Sequence, residues 1–276
     1  MFKMKKQLGW IEPITLANKI SQNYKENSWV FLYSALNDEV ENSKSIIALF
    51  PKNELFLDNL EQLKPYLQTD EQYFGYVSYE YKNNLEKYQN CSKSFVDLPK
   101  IFMANYALTL QFNHKEKNII ANFDDKKLLD KILSYQEVYE EFSAKTTQIN
   151  SNFSDQNYKE QISKIKEMIA NGDFYQTNLT RKFFGNFNLT KQQEYFSLFQ
   201  NLMTKSPANY ASFLKIGDKY IICSSPELFL KVENGNIISR PIKGTAPRSG
   251  NELQDAKNKQ YLLNSRKEKA ENLMIV

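Results

Sequence analysis

The sequence predicts a mixed α+β chain, and three observations carry that expectation. Apolar residues recur at helical spacing in several windows, most clearly Tyr158, Ile162, Ile165 and Ile169. Short apolar and aromatic runs of strand length lie between those windows. Two pairs of runs are joined by short polar turns, at Asn113–Glu116 and at Asn234-Gly235. Asn-Gly between apolar runs is the strongest short-range hairpin signal.

The elements follow in chain order. Pro13 to about Tyr24 is predicted helical, with Pro13 in the first turn and Leu16, Ala17 and Ile20 on one face. Trp29–Tyr33, Ile46–Phe50 and the aromatic stretch Tyr73–Tyr81 have strand content. Phe102–Gln111 and Asn118–Asn122 flank His114 as a hairpin, and Asp124 to about Phe142 has helical spacing. Ser143–Ser154 is rich in Ser, Thr and Asn and lacks periodicity, so it reads as a linker. It divides the chain into an N-terminal region, 1–150, and a second region, 151–276. A helix follows with Asp155 as its cap and Asn171-Gly172 as its stop. Phe174–Thr180 alternates as a strand does, Gln192–Met203 reads as a helix, and Tyr210–Leu214 and Tyr220–Cys223 read as strands. Leu228–Glu233 and Asn236–Arg240 form the arms of the Asn-Gly hairpin. Asn251 with Gln254 resembles a capping box. It opens one helix running to Val276, with Leu253, Ala256, Leu263, Ala270 and Met274 on one face.

Composition narrows the function classes. The chain has 276 residues, 41% hydrophobic and 14% aromatic, enough for a sizeable core and too apolar for disorder as its main state. With 36 Lys+Arg against 32 Asp+Glu, the net charge of +4 is too balanced for a nucleic-acid binder recognised by charge. Cys91 and Cys223 are far apart and outside any CxxC pattern, which fits a reducing compartment. With one histidine, His114 in a polar turn, and two cysteines, common zinc sets cannot be assembled, and a His-based triad is nearly excluded. No GxGxxG or GxxxxGK[ST] occurs. The basic start Met1–Lys6 is not followed by the apolar stretch of a signal peptide, and no run approaches a membrane span. A soluble, cytoplasmic protein is expected, with no nucleic acid and no membrane as partners.

Two acids and one lysine are candidates for chemistry. Counting back from the Asn234-Gly235 turn sets Glu227 opposite Ile242, with Lys243 one step beyond. Glu227 and Lys243 are thus neighbours at the open end of one hairpin, although strict alternation puts them on opposite faces. Pro241 and Gly244 relax that alternation. An acid at a strand start and a loop lysine are more often simply solvated. Glu271 borders the apolar stripe of the last helix. With Lys267 at i−4 and Glu268 one turn back, its plainer reading is a salt-bridged surface face. Glu252 and Asp255, in the first turn, favour the helix dipole.

Four stretches occur in order: Asn171-Gly-Asp-Phe-Tyr-Gln-Thr-Asn-Leu-Thr, Ser224-Ser-Pro-Glu-Leu-Phe-Leu, Arg240-Pro-Ile-Lys-Gly-Thr-Ala-Pro-Arg and Ala270-Glu-Asn-Leu-Met-Ile-Val. Together, and with the region of Tyr76-Val-Ser-Tyr, they resemble the chorismate-utilising enzymes, specifically the large component (component I) of aminodeoxychorismate synthases. Lys243 points to that subfamily, since anthranilate synthases carry Ala at this place in the motif. Ala246 departs from the pattern, where Arg is common. The resemblance implies an anthranilate synthase component I-like fold: α/β/β/α layers, a mainly antiparallel β-sandwich wrapped by helices. Family members continue beyond the last motif, so the resemblance also implies an N-terminal portion, incomplete at its C-terminus. On that view 151–276 is the first part of the chorismate-binding region, and little turnover is expected from this chain alone.

The resemblance further implies amination of chorismate to 4-amino-4-deoxychorismate, for para-aminobenzoate and folate synthesis. Ammonia would come from a glutamine amidotransferase subunit. Lys243 would be the nucleophile and Glu227 the general acid and base. Gly244 and Thr245 would contact substrate, and Glu271 would help hold Mg²⁺. A lysine at its ordinary pKa is neutral in only about one molecule in 2,500 at pH 7, so this chemistry needs a desolvated or cation-flanked amine. Two alternatives remain open: a non-catalytic fragment or split-subunit half, and an anthranilate synthase-like enzyme.

Overall fold

The computed structural model describes residues 2–36, 44–86, 96–138 and 148–275. Cys91, residues 143–147 of the expected linker, and Val276 lie outside the described residues. The chain forms two compact units, Met1–Val138 with Leu198–Val276, and Tyr139–Ser197.

In the first unit the strands are β1 (Met4–Leu8), β2 (Ser28–Tyr33), β3 (Lys44–Leu57), β4 (Tyr73–Val77), β5 (Ile101–Asn113) and β6 (Asn118–Phe123). Helix α1 (Pro13–Asn23) lies between β1 and β2, the single turns α2 (Lys64–Leu67) and α3 (Lys82–Leu85) flank β4, and α4 (Lys126–Leu133) follows β6. The second unit carries the short strand β7 (Asn150–Ser151), helix α5 (Asp155–Asn171) and strand β8 (Phe183–Phe184). Helix α6 (Gln192–Lys205), strands β9 (Tyr210–Ile216), β10 (Lys219–Ser225), β11 (Leu228–Glu233) and β12 (Asn236–Arg240), and helices α7 (Glu252–Asn264) and α8 (Arg266–Ile275) complete the order.

Eight strands make one antiparallel sheet, in the order β1-β6-β5-β3-β2-β9-β10, with β4 also paired to β5. The mixed helix and antiparallel-sheet class is the expected one. β2 explains its own composition: Trp-Val-Phe-Leu is a continuous apolar run because both of its faces are covered. Val30 joins a core cluster with Ala48, Phe102, Ala104, Tyr106, Leu214 and Ile216. Its neighbour Phe31 meets Phe199 of α6 edge-on at 5.7 Å. Leu16, Ala17 and Ile20 of α1 and Leu129 and Ile132 of α4 are buried as their spacing predicts.

Several boundaries differ from expectation for identifiable reasons. β3 runs past Phe50 and Pro51 because a bulge between Pro51 and Asn53 absorbs the proline. Phe50 there has φ 61°, and its backbone N–H donates to the buried Tyr24 hydroxyl, whose ring meets Phe50 edge-on at 5.2 Å. β1 lies within the basic N-terminal stretch, where exposed lysines suit a sheet edge. Tyr79–Tyr81 forms a 3₁₀ turn rather than strand. His114 closes the β5–β6 turn but is only 8% exposed. It bonds Ser45 Oγ through Nε2 at 2.7 Å and meets Trp10 edge-on at 5.4 Å. The helix expected from Asn251 to Val276 is two helices. Ser265 takes an extended backbone (ψ 115°), ends α7, and accepts the Glu268 N–H through its hydroxyl at 3.3 Å.

The second unit is described by itself. Ser154, not Asp155, caps α5, accepting the Asn157 N–H at 3.1 Å. Gly172 ends the helix in the left-handed region at φ 84°, as Asn-Gly predicted. The alternating stretch 174–180 forms no strand. Arg181 gathers this unit: Nε donates to Ser151 Oγ at 2.9 Å, a terminal nitrogen reaches Asp155 at 2.6 Å, and the guanidinium lies over the Phe183 ring at 4.8 Å.

Candidate functional site

The candidate residues of the second half come from one hairpin, one loop and two helices, all within the first unit. Asn234 (φ 51°) and Gly235 (φ 79°) supply the two left-handed positions of the hairpin turn. They fix the register Glu233↔Asn236, Val232↔Ile237 and Lys231↔Ile238. A bulge between Leu228 and Lys231 then shifts the pairing to Leu228↔Arg240. The uninterrupted count that set Glu227 opposite Ile242 is therefore broken by the bulge, and the pairing ends at Leu228 and Arg240, before it reaches Glu227 or Lys243.

Glu227 follows Pro226 and is exposed, with its backbone N–H donating to Ser225 Oγ at 3.3 Å. Its carboxylate Oε1 accepts the Ile242 N–H at 3.1 Å, so it touches the backbone immediately before Lys243. The hairpin is unusually apolar outside: Phe229 is 83% exposed and Ile237 70%.

From Pro241 to Gly250 the chain is a loop without regular structure, joining β12 to α7. Lys243 is half-buried in it and lines a groove of about 510 Å³ with Leu262, Leu263, Glu268, Lys269, Asn272 and Leu273. Gly244 sits at φ 74° against Glu268, whose Oε2 lies 2.8 Å from where a Cβ on residue 244 would be. The glycine is thus required twice, by its backbone conformation and by the approach of α8. Thr245 is exposed.

Glu271 is half-buried and pairs with Lys267 at 3.4 Å, while Lys267 also reaches Glu268 at 3.5 Å. The two acids hold the Lys267 ammonium above the usual lysine range. The structure thus brings Lys243 together with Glu268 and with the backbone gripped by Glu227. Glu271 lies on the same helix but does not line the Lys243 groove. Glu268, read from sequence as a surface acid, is the residue the sequence reading missed. The available signal was Gly244 inside a motif otherwise short of glycine.

Mg²⁺ favours oxygen ligands, often one or two carboxylates completed by water and substrate. Glu271 offers such a donor, paired with Lys267, which is itself exposed. No group of three or more His, Cys, Asp or Glu side chains suited to a metal occurs among the described residues. Toward such a cation the described residues would thus bring one carboxylate, that of Glu271. Among the described residues no helix is long and apolar enough to cross a membrane.

Comparison with known proteins extends this geometry. Residues 17–276 match the family model described as chorismate binding enzyme. The chain is 30% identical over 207 residues to aminodeoxychorismate synthase component 1 of Klebsiella aerogenes, covering 73% of this chain and 44% of that protein. It is 31% identical over 165 residues to anthranilate synthase component 1 of Bacillus subtilis, covering 59% of this chain and 31% of that protein. The chain spans less than half the length of these relatives. Among solved structures it is similar to anthranilate synthase component I from Streptococcus pneumoniae TIGR4, with a TM-score of 0.69 at 20% identity over 96% of this chain and 64% of that one. MenF, the menaquinone-specific isochorismate synthase from Escherichia coli, gives 0.66 at 13% identity, over 98% of this chain and 61% of that one. At such identities the structural likeness speaks to fold alone.

Proposed function

Because this chain belongs to the family of chorismate binding enzymes, we propose that it carries the amination site of an aminodeoxychorismate synthase component I, converting chorismate and ammonia to 4-amino-4-deoxychorismate. One observation carries the choice of reaction: a lysine, Lys243, stands in the Pro241-Ile-Lys-Gly-Thr motif and lines a groove large enough for a small ring acid. Neither of the two relatives above decides it, since their identities to this chain are nearly equal.

In this reading the neutral Lys243 amine bonds to C2 of chorismate as the 4-hydroxyl departs. Glu227 gives the proton that lets it leave as water. Ammonia then bonds at C4, the C2–nitrogen bond breaks, and the released lysine recovers its starting state as Glu227 takes back a proton. Leu262, Leu263 and Leu273 line the groove beside the amine. Gly244 and Thr245 present backbone at the substrate. Glu271 would hold Mg²⁺, which would supply positive charge to a substrate carboxylate. The ammonia source is a glutamine amidotransferase partner, for which the relatives' designation as component 1 is the support. A cytoplasmic setting accords with two cysteines in no disulfide pattern.

The test is mass spectrometry of the chain after exposure to chorismate and Mg²⁺ without ammonia. The expected result is an adduct of chorismate less water on the peptide containing Lys243, absent from Lys243→Ala and lost on adding ammonia. Glu227→Gln keeps the acceptor for the Ile242 N–H but cannot supply the proton, so it should form the adduct at least tenfold more slowly. Formation of anthranilate and pyruvate instead would overturn the amination reading and favour the anthranilate synthase alternative.

A further inference from the structure

We propose that Asp255 is a positioning residue for Lys243: with Asn258 it clamps the exit of the lysine-bearing loop onto α7 and so fixes where the amine stands. What that amine does rests on the reading above; the clamp itself does not.

The loop 241–250 has two left-handed glycines, Gly244 and Gly250, and no regular structure of its own. A segment of this kind has many accessible conformations unless its backbone groups are taken up by neighbours. Its entry is held twice. Glu227 accepts the Ile242 N–H, and Asn272 Nδ2 of α8 donates to the Pro241 carbonyl at 3.3 Å. Its exit is held by α7. Asp255 Oδ1 accepts the Ser249 N–H at 2.8 Å and the Ser249 hydroxyl at 3.0 Å, while Oδ2 accepts Arg248 Nε at 2.9 Å. Three residues along the helix, Asn258 Nδ2 donates to the Pro247 carbonyl at 2.7 Å. Pro247, Arg248 and Ser249 are each taken by one turn of one helix, which leaves residues 243–246 stretched between two fixed points.

The acid is the built part of this clamp. Asp255 is 16% exposed and Arg248 89% exposed, so the ion pair itself contributes little. The Ser249 backbone N–H, with the hydroxyl and Arg248 behind it, holds the Asp255 carboxyl below the usual carboxylate range. A first-turn acid serving only the helix dipole would need neither Ser249 nor a partner at Asn258.

The test compares Asp255→Ala, Asp255→Asn and Asn258→Ala in the 276-residue chain, with Glu252→Gln on the same helix turn as control. Two readouts are taken: hydrogen exchange of the segment 241–250, and the rate at which trinitrobenzenesulfonate labels Lys243, measured on its peptide. Asp255→Ala should speed exchange of the segment about tenfold or more, as loss of charge-assisted hydrogen bonds requires. It should also change Lys243 labelling at least threefold, while β3 and β5 keep their protection. Asp255→Asn, which keeps one acceptor, should recover part of both, and Asn258→Ala should show a smaller effect in the same direction. If Asp255→Ala does not fold, Asn258→Ala and Ser249→Ala decide by the same readouts. Lys243 labelling within twofold of the unaltered chain in every folded variant overturns the proposal, whatever the loop exchange does. Failure to find a chorismate adduct in the unaltered chain bears on the proposed reaction and leaves this outcome independent.

Discussion

Gly244→Ala is the substitution through which the Lys243 groove can be tested by arithmetic. An alanine at φ 74° adopts a left-handed backbone at a cost of about 1–2 kcal/mol. Its Cβ would lie 2.8 Å from Glu268 Oε2, 3.3 Å from Cδ and 3.2 Å from Cβ. The carboxylate can swing aside, but the Glu268 Cβ is fixed to α8, so helix and loop must separate by a few tenths of an ångström. Overpacking of this kind adds about 1–3 kcal/mol. Gly250→Ala is the matched control, because Gly250 sits at φ 75° with nothing within 4 Å of the new Cβ. It carries the backbone strain and not the collision. Hydrogen exchange of the α8 peptide separates the two. Gly244→Ala should raise its exchange by about tenfold or more over Gly250→Ala, since roughly 1.4 kcal/mol is a factor of ten. Adding Glu268→Ala removes Oε2 and Cδ but leaves Cβ, so it should restore part of the protection and not all of it. Equal exchange of α8 in the Gly244→Ala and Gly250→Ala chains would refute the packing of Glu268 on this loop.

Two further predictions concern the eight-stranded sheet. Tyr24→Phe removes the acceptor of the Phe50 N–H at the β3 bulge, so urea unfolding should show a loss of about 1–3 kcal/mol; a loss under about 0.5 kcal/mol would disprove that role. His114 is held below the ordinary histidine pKa of 6.5, chiefly by burial and then by Lys117, with Glu12 opposing. Above that value neither folded nor unfolded imidazole is charged. As the pH falls below about 6.5 only the unfolded chain takes the proton, so stability should decline there and be intact above it. The urea midpoint should therefore drop between pH 7.5 and 5.5 by more in the unaltered chain than in His114→Gln, and an equal drop in both would remove His114 as the cause.

Much of the fold was legible wherever burial and turn chemistry agreed. β2 reads as a strand because Trp29 to Leu32 are apolar on both faces, and the Asn234-Gly235 turn is specified by the two positive φ angles that it adopts. β1 was hidden by its lysines, which suit an edge strand but read as a basic tail. Phe174 to Thr180 alternate like a strand yet pair with nothing regular, because alternation describes one chain while a strand needs a partner with a free edge. Around the site, Lys243 and Glu227 were visible through their motif. The bulge that breaks the simple count between them was not, since no residue of Leu228–Lys231 announces it. Asp255 and Glu268 read as ordinary helix acids because their partners, Ser249 and the bare backbone at Gly244, lie across a loop whose path no periodicity describes.

The pairing of β2 with β9 has a consequence for how the molecule is made. Tyr33 lies opposite Ala211, and Ser28 opposite Ile216. A ribosome adding roughly 5–20 residues per second delivers the second partner on the order of ten to forty seconds after the first. Through that interval the nascent sheet presents the naked flank of an apolar strand. Chaperone occupancy in the cell should therefore peak on chains stalled before β9 and fall sharply once that strand has cleared the exit tunnel.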